Sequence, residues 1–414
     1  MSHKEHTRIL IVGGGFAGIE AALRLSKKHF RNTSITLLSK NTHFEYYPML
    51  YRAVAGKSPL EVCIQLSDIF EDTNVYVVHD EVVSFIFDQK VVAGVSGSRY
   101  HYDYLVLALG SESAYFGIPG LEEHAFPFKS INDALRLKNH LHQVFHDHSL
   151  ARKEDLESNL RVTIVGGGPA GVELAGELSS YVDKLCTLHE VAREHVNLLL
   201  IEGAERLVPM MSETVSVKIE ERLKFLGVHV HTGEKMLRAD AGGIYTDHMH
   251  IPSHSVVWTA GVKASHYYMN AQGLKKAPNG RVEVTGELEA VGQKNVFVIG
   301  DGAQTQYAGL AQTAIDNGKF VAKVIASRIR YSTKKFSYVP KKVAYAMPVG
   351  PDWAMIVVGK HSFSGLVGWW MRTLIDLRYF MSILPLRKAW RAWKEGEKNC
   401  ESCITCASGI LEEK

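Results

Sequence analysis

The sequence has few cysteines, almost no net charge and no long apolar run. Five cysteines in 414 residues, three of them among the last fifteen, do not build a disulfide framework, and a reducing cytoplasmic setting is expected. No eighteen consecutive residues are apolar, so no transmembrane helix is expected. Met1 to Arg8 lead straight into a strand without an apolar h-region or transit-peptide character, so no targeting segment is expected. Basic and acidic residues number 47 and 44, a formal charge of +3, which gives no reason to expect nucleic acid. Metal-ligand patterns are incomplete. His140, His142, His146 and His148 crowd one predicted helix without a carboxylate partner, and Cys400, Cys403 and Cys406 have ligand-like spacing but no fourth ligand nearby. No metal is expected, and residues 399–414 are expected to be a flexible tail.

What the chain does have is glycine in a pattern. Gly13-Gly14-Gly15-Phe16-Ala17-Gly18 follows the apolar run Ile9–Val12, and Gly166-Gly167-Gly168-Pro169-Ala170-Gly171 follows Val162–Val165. Both fit G-x-G-x-x-G at a strand-turn-helix. The first glycine makes the turn tight, the second lets a pyrophosphate reach the backbone, and the third lets helix pack on strand. Gly13, Gly15 and Gly18 are thus candidates for one dinucleotide, and Gly166, Gly168 and Gly171 for another. Two such motifs in one chain are what hydride transfer between a nicotinamide and a flavin requires.

The expected fold class is α/β, with two Rossmann-like domains. Tyr104–Gly110 reads as a buried strand ending in a glycine turn, and Val256–Gly261 closes the second βαβ set. Asn295–Asp301 returns a strand to the first domain, and an amphipathic helix from Ala311 follows. The flavin domain is therefore split, at 1–125 and 285–335, around a nicotinamide domain at 126–284. Residues 336–398 form a C-terminal segment of strands and then basic, tryptophan-rich helices.

Several residues carry the chemistry. Glu202 ends the strand after the second fingerprint helix, where a carboxylate accepts hydrogen bonds from the ribose hydroxyls and repels a 2′-phosphate. That favours NADH over NADPH, although nearby Arg206 could pair with a 2′-phosphate. The spacing of 34 residues from Gly168 exceeds the usual one, and the region 181–195 accounts for the excess. Ser39, followed by Lys40, holds the corresponding place in the first unit and offers a weaker ribose contact. Asp301, between two glycines at a strand end, suits the ribityl hydroxyls of a flavin. The helix opening at Ala311 would aim its N-terminus at the pyrimidine end of the isoalloxazine, where negative charge collects on reduction. Gly110 and Gly261 are placed as close-approach glycines for the two cofactors.

These residues sit in longer matches. Phe44–Tyr51 with Gly56, Tyr102–Gly110, Gly171–Leu178, Trp258–Val262 and Ala311–Gly318 together resemble the type II NADH:quinone oxidoreductases, or alternative NADH dehydrogenases, within the two-dinucleotide-binding-domain flavoproteins. The resemblance runs to about residue 396. It departs at Leu109, where the family has threonine, and at Asp316 and Asn317, where it has a glutamine pair. It implies non-covalent FAD, NADH as donor, a membrane quinone as acceptor, no proton pumping and a homodimer at the cytoplasmic face of the membrane. It also implies a catalytic Glu173 near the nicotinamide and quinone, with a part in proton delivery, and Gln312 at the quinone.

The C-terminal segment fits that acceptor. Leu366, Trp370, Leu374, Leu377 and Met381 form one helical stripe, and Leu386, Trp390 and Trp393 a second beyond Pro385. Arg387, Lys388, Arg391 and Lys394 surround the second stripe, as at an anionic lipid surface. The alternative is a helix docked on the protein's own core or on a dimer partner, which would fit a soluble-acceptor NAD(P)H oxidoreductase. A sulfide:quinone oxidoreductase would need paired cysteines beside the flavin, and before the tail the chain has Cys63 and Cys186 alone.

Overall fold

The computed structural model describes residues 6–150 and 160–396. Cys400, Cys403, Cys406 and the expected tail lie outside the described residues. Two five-stranded parallel sheets carry the chain. In the first the strands run in the order Val296–Val298, Tyr104–Leu107, Thr7–Val12, Thr33–Ser39, Val75–His79. Ile9, Leu10, Ile11 and Val12 are all buried, as a central strand covered on both faces requires. Helix α1 (Phe16–Ser26) connects Thr7–Val12 to its parallel neighbour Thr33–Ser39.

The second sheet repeats this plan in the order Phe126–Pro127, Ser255–Trp258, Arg161–Val165, Asn197–Glu202, Val228–Thr232. Helix α2 (Ile131–Leu150) precedes its central strand, and helix α3 (Pro169–Leu188) follows it. A short 3₁₀ turn at Arg193–His195 then leads into Asn197–Glu202, so the long spacing from Gly168 to Glu202 reflects a twenty-residue helix and a looped return. Val296–Val298 pairs with Tyr104–Leu107 although the whole second sheet lies between them in sequence. A two-stranded antiparallel ribbon, Ser111–Ser113 with Val262–Ala264, joins the two halves.

Helix α4 (Ala311–Ile329) lies on α1. At Gly318 an added Cβ would stand 2.5 Å from the Ala17 carbonyl oxygen, so only glycine allows that crossing. The C-terminal segment is a three-stranded antiparallel sheet, Tyr345–Pro348, Ala354–Val358 and His361–Phe363, followed by α5 (Leu366–Ile383) and α6 (Leu386–Glu395). No helix among the described residues is long and apolar enough to cross a membrane.

Helix α5 has its polarity reversed. Its buried residues are Gly368, Arg372, Asp376, Phe380 and Ile383. Leu366 is 56% exposed, Trp370 55% and Leu374 59%, and Met381 is exposed as well. The apolar stripe therefore faces away from the core, with Leu377 half-buried at its edge. Arg372 and Asp376, which in the sequence interrupt an apolar stretch, are the groups that dock it.

Candidate active site

The two fingerprints have the same local geometry, and each glycine has a separate reason to be glycine. Gly13 and Gly166 hold φ of +113° and +118°, a region that favours glycine. A Cβ on Gly18 would lie 1.9 Å from the Gly13 carbonyl oxygen, and one on Gly171 would lie 1.9 Å from that of Gly166. Gly15 and Gly168 are different, because a Cβ there would meet nothing within 4 Å. They are the N-caps of α1 and α3, and no side chain caps either helix. Each helix thus ends in free N–H groups facing open space, the cradle a pyrophosphate fills.

A cleft of about 550 Å³ runs from the first fingerprint to the start of α3. Ser39, Lys40, Asp80, Gly110, Asp301 and Glu173 are among the residues that line it. Asp301 accepts from Ser111 Oγ at 2.5 Å and from the Gly309 N–H at 3.1 Å. Its turn is held from behind by Asn317, whose Oδ1 accepts the Gly300 N–H at 3.0 Å. Asn317 is fully buried, a scaffold residue, and Asp316 pairs with Lys341 at 3.4 Å on the surface. Leu310 and Ala311 line the cleft at the uncapped N-terminus of α4. The set fits FAD: a pyrophosphate cradle, a carboxylate for the ribityl chain and a helix N-terminus beyond it.

Ser39 and Lys40 are turned to protein partners. Ser39 Oγ donates to the Asn41 carbonyl at 2.8 Å, and Lys40 Nζ lies 3.6 Å from Glu81. Glu202 buttresses the second fingerprint, accepting from the Gly167 N–H at 2.6 Å and the Ala204 N–H at 2.7 Å. Arg206 points away from it. Its guanidinium donates to the Met211 and Pro209 carbonyls and to Ser216 Oγ. Gly261 lies under the Phe116 ring, where a Cβ would be 2.4 Å from the nearest ring carbon. Nothing in the sequence pattern marks Phe116, since a single aromatic in a linker has no periodic signal.

Glu173 is on the first turns of α3 and its carboxyl is pushed up to about 8 by desolvation; Arg372 opposes that rise and Asp376 adds to it. Both come from α5. Arg372 pairs with Asp376 in an environment where the two are 6% and 2% exposed. Tyr46 donates to Asp376 Oδ1 at 2.6 Å, and Arg372 Nη2 donates to the Pro48 carbonyl at 2.9 Å. Tyr46 stacks on Tyr379 with ring centroids 5.2 Å apart. Gln312 lies outside the cleft. Its amide pairs with the Ala344 backbone, Nε2 to O at 2.9 Å and Oε1 to N at 3.3 Å, and so ties α4 to the start of the C-terminal segment.

The remaining sequence features have local explanations. His142 Nδ1 lies 3.2 Å from His189 Nε2, and its other ring nitrogen 2.9 Å from the Tyr181 hydroxyl, while His140 Nε2 lies 2.9 Å from Ser255 Oγ, so these two rings are bonded to residues outside the helix. Cys63 and Cys186 are buried free thiols, and neither lines the cleft.

Comparison with known proteins agrees with this geometry. The pyridine nucleotide-disulphide oxidoreductase family matches residues 7–318. A type II NADH:quinone oxidoreductase of Staphylococcus aureus is 28% identical over 406 residues, covering 94% of this chain and 99% of the relative. The NDH2 of Plasmodium falciparum, solved in complex with NADH, superposes with a TM-score of 0.84 at 17% identity, over 95% of this chain and 98% of the other. The sulfide:quinone oxidoreductase of Aquifex aeolicus superposes at 0.75, also 17% identical, over 98% and 95%. With a glycine cradle in each half of the chain and a family match across both of them, the chain belongs to the pyridine nucleotide-disulphide oxidoreductases.

Proposed function

We propose that this protein is an FAD-dependent NADH:quinone oxidoreductase that works at a membrane surface without pumping protons. The observation that carries the reading is that the uncapped N-termini of α1 and α3 both line one cleft, with Glu173 lining it from the first turns of α3. FAD, held by the first fingerprint, Asp301 and the N-terminus of α4, would supply the two-electron redox chemistry that couples NADH oxidation to quinone reduction. The protein's own residues bind, orient and move protons. Glu202 presents acceptors to the ribose, and Arg206 is committed to the Met211 and Pro209 carbonyls rather than to a 2′-phosphate. Glu173 holds a proton at neutral pH, so it can give one to a quinone oxygen as negative charge develops there. Gln312 acts as a positioning residue, holding the C-terminal segment against α4.

Attachment to lipid is supported by α5. Its charged face is docked and its apolar face is outward, the reverse of a helix on a soluble surface. Arg378, Arg387, Arg391 and Lys394 are exposed beside it, each adding about 1 kcal/mol on an anionic leaflet. The absence of cysteine from the cleft weighs against sulfide as donor. The deciding experiment is a visible spectrum of the purified protein before and after anaerobic NADH, followed by addition of quinone. Flavin absorbance that bleaches with NADH and returns with quinone is expected. A colourless protein, or one that NADH does not bleach, would overturn the proposal.

A further inference from the structure

One segment crosses the flavin crevice from above. Ser265–Tyr268 is rooted at the carboxyl end of Tyr104–Leu107: the Ser265 N–H donates to the Gly110 carbonyl at 3.2 Å, and the Leu109 N–H donates to the hydroxyl of fully buried Tyr268 at 3.0 Å. Beside this root Glu112 accepts from the His266 N–H at 3.2 Å and its Nδ1 at 2.9 Å, and pairs with Lys263 Nζ at 3.3 Å. The tip goes elsewhere. The Tyr267 hydroxyl donates to Glu81, two residues past the end of Val75–His79, and Glu81 also meets Lys40, one residue past the end of Thr33–Ser39.

Sheet order shows what lies beneath. Tyr104–Leu107 and Val75–His79 are separated by Thr7–Val12 and Thr33–Ser39, so the two strands lie three strand spacings, about 14 Å, apart. His266–Asn270 is a short helix, so the distance is covered by the side chains of Tyr268 and Tyr267, with the segment's backbone near the carboxyl ends of the strands between, where the Gly13–Gly18 turn begins. Ser265, His266 and Tyr267 line the cleft along with that turn. Carboxyl ends of parallel strands are where such sheets bind dinucleotides.

We propose that Ser265–Tyr268 is a strap closing over the pyrophosphate–adenosine half of FAD, and that Tyr267, Glu81 and Lys40 are the clasp that retains it. The inference rests on the FAD reading above. The root is held by several separate bonds, whereas the tip hangs on one phenol and one carboxylate, so the strap opens from the tip. It also assigns Lys40 a role the fingerprint does not suggest: it fixes the carboxylate that receives Tyr267.

The test is the rate at which the full-length holoprotein releases flavin on dilution, followed by the rise in free FAD fluorescence. Tyr267→Phe keeps the ring and removes one hydroxyl, and Glu81→Gln removes the charge. Each is expected to speed release about tenfold, the scale of one hydrogen bond to a charged group. The double variant is expected to match either single one, since both break the same clasp. Melting of the apoproteins provides a check on folding, and all forms are expected to unfold at similar temperatures. Release from Tyr267→Phe at the wild-type rate, or independent additive effects of the two substitutions, would overturn the strap. A wild-type protein that purifies without any flavin would instead overturn the FAD reading on which the strap rests.

Discussion

Removing the Glu173 carboxyl tests the proton-delivery reading. With its pKa near 8, about nine in ten molecules carry the proton at pH 7, against fewer than about one in a hundred for an ordinary glutamate. The assay is stopped flow on anaerobically reduced protein mixed with a short-chain quinone across pH 6 to pH 9.5. Reoxidation is expected to be flat up to about pH 7 and to fall about tenfold per pH unit above about pH 8, as the donor is lost. Glu173→Gln is expected to be slower by about a hundredfold and to lack that limb. Asp376→Asn removes a neighbouring negative charge that raises Glu173, so the limb should move to lower pH. Stability follows the same sign. The folded protein keeps a proton that the unfolded chain gives up above its ordinary value of 4.5, so wild type should lose stability relative to Glu173→Gln as pH rises towards about 8. An unchanged alkaline limb in Glu173→Gln would refute the assignment.

Other substitutions separate scaffold from ligand contact. Gly15→Ala places its methyl in open space, so the apoprotein should melt within about 1 kcal/mol of wild type while FAD affinity falls sharply; Gly18→Ala, only 1.9 Å from a carbonyl, should fail to fold stably. Equal melting of the two would contradict the cradle geometry. Glu202→Gln should lower kcat/KM for NADH by about tenfold and narrow the preference over NADPH, measured with both donors in one quinone assay. The double variant Trp370→Glu, Leu374→Glu should leave NADH-driven bleaching intact and abolish sedimentation with anionic vesicles, and co-sedimentation at the wild-type level would count against the lipid-facing assignment of α5.

The parts of this molecule that were readable in the sequence are those whose causes are local. Each fingerprint is one strand, one turn and one helix start; its first and third glycines answer to contacts within a few residues or with a neighbouring strand or its end, and its second to open space. The return of Val296–Val298 to the first sheet was readable because Asp301 follows it in a glycine turn of recognisable type. The α5 stripe was readable as a stripe, and its expected outward direction came from the family resemblance and the flanking basic residues rather than from the periodicity. Helical periodicity gives a face without saying what the face meets, and the partner that settles it, Tyr46, lies 330 residues from Asp376. The same limit applies to Gln312, which only the folded chain shows bonded to the Ala344 backbone and outside the cleft, whereas Ser39 and Lys40 line the cleft and also hold Asn41 and Glu81.

The interleaving of the two sheets sets an order of birth. As the chain leaves the ribosome, every strand of the second sheet is present once Trp258 has emerged, so that half can fold on its own. The first half waits with Tyr104–Leu107 unpaired on one side until Val296–Val298 arrives, about 190 residues later. Asp301 and α4 come later still. Flavin can therefore be captured only by a nearly finished polypeptide, whereas the nicotinamide cradle is ready while synthesis continues.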